Sequence, residues 1–165
     1  MKSVSYMVSV ILVVSVWPLT AVAQSKDALV GTWKLVSATQ TNEKKESRPA
    51  FGMHPTGFVT YTAEGRMSVV INSAGRAPLS VNDYRAAPAE ERAAAFATMV
   101  AYAGTYTLTG DKVIHHVEAS WMPNQVGTDL TRTVKLQGNR LTLRTPPMRV
   151  GGEEIVAELV WERLK

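Results

Sequence analysis

The chain has 165 residues, no cysteine, 18 Lys plus Arg against 14 Asp plus Glu, and a net charge of +4. That length is one domain at roughly 150 residues per domain, and 45% apolar with 19% charged residues excludes global disorder. Without cysteine there is no disulfide scaffold, thiolate metal site, cysteine nucleophile or lipidated N-terminal cysteine. The basic residues are scattered, which argues against an extended phosphate-binding face and hence against nucleic acid as a partner.

Lys2 is the only charge before Lys26. An apolar run from Tyr6 to Trp17 follows, then Pro18 and Ala21-Val22-Ala23 before Gln24. A basic start, a short apolar stretch and an A-x-A site read as a secretory signal peptide over residues 1–23. The run is shorter than the ~20 residues of a spanning helix. The competing reading is an uncleaved anchor. Without a twin arginine the general export route is expected, giving a periplasmic or secreted domain over residues 24–165 with no membrane insertion after cleavage. A domain of this size buries about 68% of its unfolded surface, enough for a core without disulfides.

Alternation predicts a first strand over residues 30–40, with Trp33, Leu35, Ser37 and Thr39 on one face. Residues 58–62 and 66–72 form a hairpin around Ala63-Glu64-Gly65, where glycine supplies the positive φ of a short loop. Residues 72–79 are a loop rich in Asn, Ser, Gly and Pro. The period then becomes helical. Ser80 with Asp83 resembles an N-cap, Pro88 suits the first turn of a second piece, and Phe96, Met99 and Val100 make a narrow apolar stripe. This insertion reads as a lid or plug on one end of the sheet, ahead of a partner-binding helix. Strands resume at 104–109, 113–121, 128–136, 140–145 and 154–164, with turns at Gly110-Asp111 and Gln137-Gly138-Asn139.

Eight mostly sequential strands with short turns predict an all-β fold, an eight-stranded up-and-down antiparallel barrel. The helical insertion falls between its third and fourth strands.

Leu29-Val30-Gly31-Thr32-Trp33-Lys34-Leu35-Val36-Ser37 resembles the G-x-W opening of lipocalin-like proteins. Six further segments match in order: 61–68, 102–106, 115–120, 123–128, 141–147 and 159–163. Together they resemble the bacterial and fungal lipocalin-like domain family over nearly the whole mature chain. The resemblance implies a calycin-type barrel holding a small apolar molecule, and no settled reaction. It also implies that a late arginine, Arg163, covers Trp33 at the closed end, with Gly31 part of that structural set.

His115 and His116 are adjacent on a strand and point to opposite faces, so they are poor co-ligands. Only His54 remains, no acidic cluster has ligand spacing, and no metal site or cofactor is expected. Val113, Val117, Ala119 and Trp121 alternate with His115, an apolar interior face. An inward His115 is either a proton shuttle and ligand donor or a core histidine satisfied by a neighbour. Arg132 alternates with Val134 and Leu136. A buried guanidinium needs a partner: a ligand carboxylate or enolate, backbone carbonyls at the mouth, or solvent after a register slip. Tyr61 and Tyr106 are candidate interior phenols, and Asn124 a candidate donor at the mouth or a turn stabiliser. No G-x-S-x-G, P-loop or dinucleotide fingerprint is present.

Three functions remain. The first is a binding protein for a small apolar or amphipathic molecule, held by Tyr61, Tyr106, His115, Trp121, Asn124 and Arg132. The second is a cofactor-free isomerase or cyclase, with His115 as acid/base and Arg132 stabilising an oxyanion. The third is a haem barrel with His115 or His54 as axial ligand. The export signal weighs against an enzyme and favours binding.

Overall fold

The computed structural model describes residues 25–165, so the proposed export signal at Met1 to Ala23 lies outside the described residues. The chain opens with a short helix α1 (Lys26–Leu29), its first turn capped by Ser25, whose hydroxyl accepts from the Ala28 N–H. There follow β1 (Gly31–Asn42), β2 (Ser47–Pro49), β3 (Thr56–Tyr61), β4 (Arg66–Asn72), helix α2 (Ala89–Ala97), β5 (Met99–Thr109) and β6 (Lys112–Ser120). A 3-10 turn (Pro123–Gln125) leads to β7 (Asp129–Gln137), β8 (Arg140–Arg144), β9 (Met148–Val150) and β10 (Glu153–Arg163).

Neighbouring strands pair antiparallel in the order β2-β1-β3-β4-β5-β6-β7-β8-β10-β9, and β1 also pairs with β10. That last pairing closes eight of the ten strands into a barrel, leaving β2 and β9 as additions at one end. α2 lies between β4 and β5, the third and fourth strands of the barrel proper. Closure fixes which side chains go inward. Trp33, Leu35, Val59, Tyr61, Met67, Val69, Ile71, Val113, Val117, Val134, Leu141, Leu143 and Trp161 form one buried core.

Two bulges change the alternation. Between Leu35 and Ser37 the β1–β10 register shifts, so Ala38 is buried while Ser37 and Thr39 are exposed, opposite to the expected face. A second shift lies between Ala103 and Gly104, where β6 carries one residue more than β5. Val113, His115 and Val117 therefore point in, but Ala119 is exposed. Gly104 is required there: a Cβ would sit 1.9 Å from the His116 carbonyl oxygen.

The insertion is shorter than its sequence suggests. Only Ala89–Ala97 is helical, with Pro88 at the N-cap and Glu90 and Glu91 in the first turn, where carboxylates suit the helix dipole. Ser80 and Asp83 start no helix: Ser80 binds the Glu91 carboxylate, and Asp83 accepts from the Arg85 N–H in its own turn. Met99 and Val100 belong to β5 and pair with Asn72 and Ile71. A short apolar run fits either period, and the available β4 edge decides it.

Candidate functional site

The end bearing the turns at 62–65, 110–111 and 138–139 is sealed. The Arg163 guanidinium lies 4.0 Å above the Trp33 ring and donates to the carbonyls of Val30 and Ala28. The Trp33 indole N–H donates to the Leu29 carbonyl at 2.9 Å. Gly31, at φ 134°, leaves the space: a Cβ there would stand 2.7 Å from an Arg163 nitrogen. Tyr106 joins this seal. Its hydroxyl donates to the Thr62 carbonyl at 2.9 Å, and its ring meets Tyr61 edge-on at 4.8 Å. Burial pushes the Tyr106 phenol up, and Asp27 and Glu64 add to that.

Above the seal, three inward side chains form a buried polar cluster. The Tyr61 hydroxyl is 2.8 Å from His115 Nε2, and the Tyr102 hydroxyl is 3.0 Å from His115 Nδ1. They come from β3, β5 and β6, and His115 is only 1% exposed. Burial, then the Arg132 charge, then His116, push the His115 imidazolium down to about 3, so the ring is neutral at pH 7. Burial raises both phenols, Tyr61 well above its ordinary value.

Arg132 pairs across β6 with Val113, an inward residue, which places it on the inner wall of β7. Its charge acts on Tyr61, Tyr102 and His115. It donates to its neighbour's carbonyl, Thr131 O, at 2.7 Å. Among the described residues no carboxylate pairs with it.

The other candidates lie elsewhere. Trp121 follows β6 beyond the bulge and packs on Phe96 of α2, ring centroids 4.4 Å apart. Asn124 is exposed within the 3-10 turn, and His54 is exposed between β2 and β3. His116, on the outer wall, binds Asp129 at 2.7 Å and Thr107 at 3.1 Å. Both nitrogens of His115 are engaged, so it has no lone pair for an iron without breaking a contact. Two open polar grooves flank β2 and β9, away from the cluster.

Tyr102 is the residue that sequence reasoning missed. It stands four residues before Tyr106, separated by Gly104, on the same inward face. Alternation from Tyr106 reaches it, but only if the strand starts at Met99 rather than Gly104.

The chain belongs to the lipocalin-like domain family, whose model matches residues 30–164. It is 36% identical over 84 residues to the 4'-hydroxy-3'-methoxypropiophenone carrier protein ppsC of Aspergillus oryzae, a stretch covering 46% of this chain and 76% of the relative. A lipocalin-like protein from Bacteroides uniformis aligns over 83% of this chain and 99% of its own, with a TM-score of 0.43 and 14% identity. Family, fold and a relative named as a carrier together support ligand binding in general. Among the described residues no helix is long and apolar enough to cross a membrane.

Proposed function

We propose that this protein is an exported carrier that holds one small, largely apolar molecule inside its barrel. The observation that carries the reading is the buried Tyr61–His115–Tyr102 cluster beside Arg132, with which no carboxylate pairs among the described residues. Desolvating three polar side chains costs free energy that an apolar core avoids, and the charge of partly buried Arg132 acts on all three. In a binding barrel such a cluster orients a ligand whose bulk packs on the surrounding apolar wall. The relative's printed name, a carrier of an aromatic ketone, supports the same reading. Helix α2 carries no buried residue of its own and meets Trp121 through Phe96, which suits an element that moves when a ligand enters.

The test is mass spectrometry under native conditions on protein purified from its own host. A stoichiometric small molecule lost on denaturation is expected. Ligand-free protein that binds no member of a panel of aromatic and aliphatic compounds overturns the proposal. Export is tested on the same sample: the chain is expected in periplasm or medium, beginning at Gln24. A membrane-bound chain retaining Met1 to Ala23 overturns it.

A second reading rests on the neutral imidazole. Held between two phenols, His115 has the protonation state of a general base, and Arg132 can stabilise an enolate. A cofactor-free isomerase or cyclase would then exchange the α-protons of a bound ketone with solvent deuterium. A plain carrier would not.

A further inference from the structure

We infer that the barrel interior is built to receive hydrogen-bond acceptors, and that its ligand is a carbonyl compound or the conjugate base of a weak acid, presenting oxygen to Tyr61 or Tyr102 and to Arg132. This rests on the carrier reading and adds the chemical class of the ligand.

The argument is a count of hydrogens. Tyr61, neutral His115 and Tyr102 bring three polar hydrogens to two contacts, Tyr61 Oη to Nε2 and Tyr102 Oη to Nδ1. A neutral imidazole has one N–H and one lone pair. In one tautomer Tyr61 donates to Nε2 and Nδ1–H donates to Tyr102, which leaves the Tyr102 hydroxyl hydrogen over. In the other, Tyr102 donates to Nδ1 and Nε2–H donates to Tyr61, which leaves the Tyr61 hydrogen over. Either way one phenolic O–H, on a side chain at most 9% exposed, has no acceptor within the cluster.

Two independent observations carry the same sign. Trp161 is 1% exposed on the inner wall, and its indole N–H has no partner. The unpartnered buried side-chain atoms among the described residues are two indole N–H groups, Trp121 and Trp161; no acceptor is among them. Arg132 adds a guanidinium with five N–H groups, one of them on the Thr131 carbonyl. The interior thus has donors in surplus and a fixed positive charge. A ligand bringing further donors, such as an ammonium ion, worsens both imbalances. A ketone or ester oxygen relieves the first, and a carboxylate, enolate or phenolate relieves both.

The experiment is calorimetric titration of the mature protein with four probes of similar size: 4-propylbenzoate, 4'-propylacetophenone, dipropylbenzene and 4-propylbenzylammonium. The expected order of affinity is benzoate, ketone, hydrocarbon, ammonium. Arg132→Met should weaken the benzoate about 10- to 150-fold and the ketone by less, the range for lost charge-assisted bonds. The double variant Tyr61→Phe/Tyr102→Phe should weaken the ketone about 2- to 12-fold, the range for a neutral hydrogen bond, and leave the hydrocarbon unchanged. If the hydrocarbon or ammonium binds as tightly as the ketone, the acceptor assignment falls and the carrier reading stands. If no probe binds, both fall. Should the double variant not fold, Arg132→Met decides alone: equal losses for all probes overturn the inference.

Discussion

Two arginines enter this barrel, and they are used differently. Arg163 is held in place by an indole beneath it and two backbone carbonyls in front, all at the sealed end. Arg132 has one backbone carbonyl, no carboxylate among the described residues, and a neutral Tyr–His–Tyr cluster beside it. The first is how a fold disposes of a cation. The second is the arrangement that the carrier proposal uses. The two arginines are alike in burial and differ in what their guanidinium groups touch: backbone and indole for one, a polar cluster for the other.

The comparison is most easily broken at the sealed end. Trp33→Ala should cost about 3–5 kcal/mol, as for a fully buried aromatic, and a denaturant midpoint unmoved by it would show that the seal is not part of the core. Arg163→Met leaves two carbonyls short of donors and should cost about 1.5–3 kcal/mol, with affinity for a bound probe unchanged once the variant is folded. If affinity falls instead, Arg163 is not confined to the seal.

Acid sharpens the contrast from the other side. The unfolded chain protonates His115 near pH 6.5, whereas the native ring resists until about 3. The stability this residue contributes is therefore complete above about pH 6.5 and is lost as pH falls toward 3, by up to about 1.4 kcal/mol per pH unit. The groups facing the ring are Tyr61, Tyr102 and Arg132, with His116 behind it; the phenols stay neutral throughout this window. The loss should be read between pH 6.5 and 5, above the carboxylate range, and should flatten in His115→Gln. A slope unchanged in that variant would place the proton elsewhere. The smallest effect is expected for Arg132→Met without ligand, under about 1 kcal/mol, since it removes a partly buried charge whose backbone bond is only to its own neighbour Thr131. A loss as large as that of Arg163→Met would make the two arginines alike.

Much of this was legible in alternation. Val59, Tyr61, Met67, Val69 and Ile71 lie inside as their spacing requires, and Gly65 turns their hairpin at φ 88°. What alternation misses are its own interruptions. The bulge at Val36 reverses Ser37, Ala38 and Thr39, and the one opposite Gly104 turns Ala119 outward and puts Trp121 against α2. A bulge depends on the partner strand, so one strand's pattern cannot reveal it. Tyr102 was hidden because the start of β5 also reads as the end of a helix. Arg132 was legible as an oddity, but its lack of a carboxylate is a fact about other strands.

The short strands β2 and β9 have a consequence for contact between molecules. A sheet closed on itself offers no backbone edge, yet β1 runs past its pairing with β3 and β10 past its pairing with β8, and each would leave a stretch bare. β2 covers Thr39–Thr41 and β9 covers Glu153–Ile155, each with three residues. The two outer edges are thus reduced to stubs, one carrying Arg48 and Pro49, the other Arg149. Charge, proline and brevity are what deter strand-to-strand addition between molecules. Both outer edges are therefore poor templates for a strand from a second molecule.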